Sequence, residues 1–168
     1  EFIRKVSNII NEEKATTVID GITYHKTDEK FTNDIFTINN VRGELGENAI
    51  DVKKSIYDYL VTDSKNEEKF AKKLENGEVT VYAKLPSGFK IPTPVGNYNP
   101  DWAIVLNNPS FKYVYFIAET KGDLSSLQLR DVEKAKIECA KKHFALLSTH
   151  DVKYGAVASY QDLIDLLA

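Results

Sequence analysis

Asn99-Pro100-Asp101 opens one apolar run of this chain, and Ala118-Glu119-Thr120-Lys121-Gly122 closes the next. Successive side chains of a strand alternate faces, so Glu119 and Lys121, two positions apart, project together. If the Asp101 strand pairs with the Glu119 strand, three charged groups of both signs converge at one sheet end. The flanking Trp102, Ile104, Val105, Phe116 and Ile117 argue that this end is buried. Buried charges are costly unless something compensates them. A divalent cation between two carboxylates, with the lysine beside it, is such a compensation.

The spacing alone is not distinctive. An acid two residues before a lysine also occurs at Glu12 and Lys14, Asp28 and Lys30, Asp51 and Lys53, Asp63 and Lys65, Glu67 and Lys69, and Asp151 and Lys153. All six lie in polar or helical segments and read as solvated charge pairs. Glu119 and Lys121 differ because they end an apolar β-run, one hairpin after the chain's sole Pro-Asp pair, Pro100-Asp101.

The elements that would position these groups follow from periodicity. Ser64-x-x-Glu67 has the spacing of a capping box, with Phe70, Ala71 and Leu74 behind it, and predicts a helix from about Ser64 to Glu75 that Asn76-Gly77 ends. Val79 to Ala83 reads as a strand. A loop rich in proline and glycine follows, then strands from Asp101 to Leu106 and Lys112 to Thr120 around the turn-forming Asn107-Asn108-Pro109-Ser110. Residues 128 to 147 form the longest helical pattern, with Leu129, Val132, Ala135, Cys139 and Phe144 on an inward stripe. Tyr154 to Ala158 is a short strand and Tyr160 to Leu167 a last helix. The order from Ser64 is α, β, β, β, α, β, α: a meander, then a crossover helix into a fourth strand. Before it, residues 1–62 read as an arm packed on the core: a helix over 1–14, a β-hairpin between Thr17 and Ile38, and a second helix through Ile50, Lys54, Tyr57 and Leu60.

At 168 residues, with 42% hydrophobic and 28% charged side chains, the chain is one globular domain with an arm. No apolar run is long enough to span a bilayer and no signal peptide is visible, so no membrane partner is expected. The single cysteine, Cys139, excludes an internal disulfide and a cysteine-based zinc site, which fits the cytoplasm. A net charge of -3 lacks the broad basic footprint of a protein that grips nucleic acid widely. Any such grip is local or supplied elsewhere. The chain starts at Glu1 without a methionine and reads as a piece of a longer polypeptide; this piece has no P-loop of its own.

Pro100-Asp101 and Glu119-Thr120-Lys121 within an αβββαβ order resemble the PD-(D/E)xK nuclease superfamily. More narrowly, the chain resembles the C-terminal endonuclease domain of type III restriction enzyme Res subunits. That resemblance lies in Lys54 to Tyr59, Asp63-Ser64 with Glu67 and Phe70-Ala71, Ile91 to Ala103, Lys136 to Cys139 and Lys142 to Phe144. It implies an α/β restriction-endonuclease-like core over 63–168 with a mixed four-stranded sheet. It also implies cleavage of double-stranded DNA, an ATP-driven helicase motor outside this chain, and methyltransferase (Mod) subunits that recognise the site.

Phosphodiester hydrolysis needs an activated water and a cation to absorb developing charge. Hard carboxylate oxygens suit Mg2+, with Asp101 and Glu119 as ligands and the Thr120 carbonyl as a candidate third. Lys121 would orient the water; acting as a base would require a lowered pKa, which two nearby acids oppose. Glu67 has two readings, a supporting acid of the site or simply the glutamate of the capping box. Two rivals stand beside this assignment, another nuclease of the superfamily such as a repair enzyme, and a non-catalytic DNA-clamping or docking module. His25, His143 and His150 form no zinc spacing, and His143 is an ordinary histidine near a helix C-terminus. Lys134, Lys136, Lys141 and Lys142 read as a solvated helix face rather than phosphate contacts, and Asp162 and Asp165 as surface carboxylates.

Overall fold

In the computed structural model, which describes residues 1–19, 21–29, 32–36, 47–107, 112–117, 131–147 and 152–166, Ser64 begins the segment that organises the rest. Its backbone is extended and its hydroxyl accepts from the Glu67 amide at 3.2 Å, which starts helix α2, Lys65–Asn76. Glu67, Phe70, Ala71 and Leu74, spaced at i, i+3, i+4 and i+7, form its buried face. The helix stops at Gly77, where an added Cβ would lie 2.0 Å from the Tyr160 hydroxyl. Only glycine allows that close approach.

Strands β3 (Val79–Lys84), β4 (Trp102–Asn107) and β5 (Lys112–Ile117) then form an antiparallel meander, and helix α3 (Asp131–Leu147) crosses over to β6 (Val152–Gly155), parallel to β5. The sheet order is β3-β4-β5-β6. Helix α4, Tyr160–Asp165, closes the described segment behind a capping box in which Asp162 accepts from the Ala158 and Ser159 amides. Asp162 is thus a cap, not a free surface acid. The chain is α/β, with the elements after Ser64 near the positions that their periodicity predicts. The expected strand through Thr120 is described only as far as Ile117, and Leu129 lies outside the described residues.

One core cluster joins Phe70, Ala71 and Leu74 of α2 to Tyr82, Trp102, Ile104 and Leu106 of the sheet, with Val157 and Leu163. Each large side chain fully withdrawn from water contributes about 1.5–3 kcal/mol. A second cluster packs Ile137, Ala140 and Phe144 of α3 against Ile91 and Tyr98 of the long loop between β3 and β4.

The region before Ser64 departs from the expected helix, hairpin and helix. Helix α1 runs Phe2–Ile19, well past residue 14, and residues 33–36 form a 3₁₀ turn. The described residues between Thr17 and Ile38 contain no strand. The β-like run from Thr17 to Ile19 suggests a strand, but packing on α3 decides the matter. Ile19 is buried with Ala135 and Cys139, and the Lys142 ammonium donates to the Ile19 carbonyl at 2.5 Å. The Tyr24 hydroxyl donates to Pro92 O at 3.0 Å and ties the segment after α1 to the long loop.

The expected second helix is instead a two-stranded antiparallel sheet, β1 (Ala49–Asp51) and β2 (Tyr59–Val61), with Ile50 opposite Leu60. The connection between them is pinned from outside: the Glu75 carboxylate of α2 accepts from the Lys53 and Lys54 amides, each at 3.0 Å, and from the Tyr82 hydroxyl at 2.9 Å. Tyr82 N donates to Lys54 O at 2.9 Å and Ile56 N to Tyr82 O at 3.0 Å. With these amides satisfied by β3 and α2, a helix through Lys54 has no partners left to claim.

Burial alone would raise the Glu75 carboxyl, but the Lys53 and Lys54 amides, the Tyr82 hydroxyl and the Lys54 charge outweigh it and the pKa is lowered. Such a group contributes stability above the unfolded carboxylate's pKa, lost as pH falls through the lowered folded value. Glu75→Gln is expected to cost on the order of 1–2 kcal/mol at neutral pH, the worth of hydrogen bonds to a charged group. Denaturant unfolding at pH 7 and again near pH 3, on the order of one unit below an ordinary carboxyl pKa, should show the wild-type advantage shrinking in acid. An unchanged difference would mean that the carboxylate charge is irrelevant to this clamp.

Candidate active site

Asp101 is delivered by a loop of unusual internal order. Ile91 and Tyr98 exchange backbone hydrogen bonds of 2.7 and 2.8 Å, and within that bracket Gly96 adopts a φ of 104°, a left-handed conformation suited to glycine. The Thr93 hydroxyl donates to Gly96 O, and Gly96 N returns a bond to Thr93 O at 3.1 Å. Ile91 and Tyr98 anchor the bracket on α3, and the Tyr98 hydroxyl lies 3.1 Å from that of Tyr154 on β6. The Asn99 side chain then donates to Pro86 O at 3.3 Å and to Pro100 O at 3.1 Å. Both ends of the loop are thereby tied together just before the acid. Asp101 is half-buried at a bend next to β4, and its carbonyl accepts from Leu85 N at 2.7 Å.

Beside this strand end the structure brings in Glu67, which is 5% exposed. Its carboxylate oxygen Oε2 accepts from Asp63 N at 3.0 Å and from the Lys84 ammonium at 2.7 Å. The glutamate therefore caps α2, though through Asp63 N rather than the Ser64 amide that a capping box would use, and it carries a buried charge next to β3. Lys84 is the last residue of β3 and pairs with Trp102 across the ladder, one position from Asp101. It also donates to Asp63 Oδ2 at 2.6 Å and to Val61 O at 3.3 Å. Burial pushes the Lys84 ammonium down, but the bonds and charges of Asp63 and Glu67 outweigh it and hold its pKa above the ordinary lysine value. It stays charged at physiological pH.

Sequence reasoning missed Lys84. A lysine ending a strand resembles any solvated strand end, and its acidic partners lie 17 and 21 residues away. The available signal was the strand's position: β3 must lie against the Asp101 strand in a meander, and α2 must cover the same face.

Glu119, Thr120 and Lys121 lie outside the described residues, as does His150. Among the described residues no group of three or more His, Cys, Asp or Glu is arranged to hold a metal. His143 packs edge-on against the rings of Tyr24 and Phe144, with centroids 5.2 Å away in each case, and burial lowers its pKa. Its role is packing rather than service at the helix terminus. Cys139 is buried and reduced. Lys141 pairs with Glu138 at 2.6 Å and Lys142 holds the end of α1, so both of these helix lysines have partners within the chain. No helix among the described residues is long and apolar enough to cross a membrane.

A helix-flanked sheet with a Pro-Asp bend at one strand end is the setting in which the comparisons with known proteins fall. Residues 53–160 match the family described as "Endonuclease domain", and the chain belongs to that family. It is 35% identical over 109 residues to the type III restriction-modification enzyme EcoP15I Res subunit of Escherichia coli, covering 63% of this chain and 11% of that protein. It is 36% identical over 95 residues to the EcoPI Res subunit of Escherichia phage P1, covering 55% of this chain and 10% of that protein. The chain thus spans about a tenth of the length of these curated relatives. No solved structure gives a significant match.

Proposed function

We propose that this chain is the DNA-cutting domain of a type III restriction enzyme, built on a PD-(D/E)xK core over 63–168 with residues 1–62 packed against it. The observation that carries the reading is the β4–β5 register, which pairs Trp102 with Ile117. In sequence Asp101 immediately precedes the first of these, and Glu119 follows the second by two residues. The family match over 53–160 and the two Res relatives support the same assignment.

Asp101 and Glu119, with the Thr120 carbonyl, would hold Mg2+, a cation suited to hard carboxylate oxygens. When bound, that ion supplies charge neutralisation at the phosphate and a more acidic water. Lys121 orients the attacking water toward phosphorus and stabilises the negative charge that grows on the phosphoryl oxygens. The bracketed loop from Ile91 to Tyr98 holds Asp101 in place before substrate arrives, and Glu67 supports the site from α2. Site recognition by methyltransferase subunits and ATP-driven motion by a helicase domain, acting in the cytoplasm, complete the proposal. They also account for a nuclease piece whose net charge is -3.

The test is plasmid cleavage by the intact enzyme with its methyltransferase partner, ATP and Mg2+, comparing wild type with Asp101→Ala and Lys121→Ala. Loss of cleavage in both, with ATP hydrolysis and DNA binding kept, supports the assignment. Cleavage that survives both substitutions would turn the reading toward a docking module.

A further inference from the structure

We propose that Lys84 is a positioning residue of this active site, its ammonium binding Glu67 and the first turn of α2 to the strand end that carries Asp101. The proposal rests on the reading of Asp101 as part of that site. An ammonium has three donors, and Lys84 has three acceptors from three separate segments: Val61 O on β2, Asp63 Oδ2 before α2, and Glu67 Oε2 on α2. No donor is left over for a DNA phosphate. Its side chain is only 20% exposed. The backbone beside it belongs to the site, because Lys84 faces Trp102 in the ladder and the next residue, Leu85, donates to Asp101 O at 2.7 Å.

The asymmetry at Glu67 gives the tether its purpose. Both bonds to the Glu67 carboxylate fall on Oε2, and Oε1 receives none from the described residues. A buried carboxylate fixed through one oxygen presents the other in a set direction. Without Lys84 the anion would lose its charge partner and be held by the Asp63 amide alone, and the first turn of α2 would lose its ion-pair link to the end of β3. Residues that orient the groups around a metal site typically affect metal affinity or activity by about 10- to 100-fold when replaced.

The test uses the intact enzyme with its methyltransferase partner and ATP. For Lys84→Met the Mg2+ concentration giving half-maximal cleavage should rise about tenfold or more, while the maximal rate at saturating Mg2+ falls much less. Calorimetric titration with Mn2+ should give a matching loss of affinity, and ATP hydrolysis should stay at the wild-type rate. Lys84→Arg, which keeps the charge, should recover most of the affinity. If Lys84→Met does not fold, Lys84→Leu, which likewise removes every donor to Glu67, Asp63 and Val61, carries the same test with the same two outcomes. Wild-type Mg2+ dependence and Mn2+ affinity in the neutral variant would overturn the proposal, and so would a loss confined to the maximal rate. Asp101→Ala, run in parallel, separates the two ideas. Full cleavage by Asp101→Ala removes the underlying assignment of the site, whereas its inactivity beside a wild-type-like Lys84 variant removes the role of Lys84 alone.

Discussion

Asp101→Ala is expected to reduce DNA cleavage by roughly a thousandfold or more. The size follows from the role proposed for it: a cation clamp stabilises transition-state charge by several kcal/mol, and each 1.36 kcal/mol is about tenfold in rate. Folding should be largely spared, because the ladder bond at this position is made by the Asp101 carbonyl with Leu85 N at 2.7 Å, which alanine keeps. Single-turnover cleavage under saturating Mg2+, paired with thermal unfolding, separates the two effects. A variant that melts like wild type and does not cut supports the metal-ligand role. Asp101→Asn sharpens the point, since it keeps the shape and an acceptor oxygen but lacks the negative charge that a hard cation selects. Near-normal cutting by the asparagine variant would argue that Asp101 shapes the strand end and does not hold metal.

Trp102→Ala is the substitution expected to harm the fold most. The indole is 0% exposed, tilted against Phe70 of α2 at a centroid distance of 5.6 Å and against Tyr82 of β3 at 6.0 Å. Removing it empties the junction of helix and sheet, and such truncations cost about 3–5 kcal/mol. Domains have only about 5–15 kcal/mol to lose, so the melting temperature should fall by roughly 10 °C or more. Trp102→Phe keeps a ring against Phe70 and should lose much less. Denaturant unfolding of the two variants measures this. Equal, small losses would mean that the core collapses around the space and that Trp102 is not its keystone.

The two substitutions at neighbouring residues explain why part of this protein was legible from its sequence. From Ser64 onward the signals were local: Phe70, Ala71 and Leu74 follow the cap at helical spacing, and β4 and β5 are apolar runs divided by a turn-forming tetrapeptide. Local signals survive folding when the buried face is the one that periodicity marks. The region before Ser64 was misread because its conformation is imposed from a distance. Ile19 ends a helix since α3 buries it, and Lys54 is kept out of a helix by Glu75 and Tyr82, 21 and 28 residues onward. At the site, Asp101 was visible through Pro100 and the apolar run behind it. Lys84 was not, because nothing in its own strand records that two acids from before and within α2 converge on it.

The bridge between Ser55 and Tyr82 has a consequence of another kind. β3 is the outermost strand of its sheet, and a bare strand margin is a template on which other chains can pair. Residues 54–56 occupy hydrogen-bonding positions of that margin, with Lys54 O and Ile56 N taking up both main-chain groups of Tyr82. The short segment thus takes that hydrogen-bonding position of the margin out of reach of another strand.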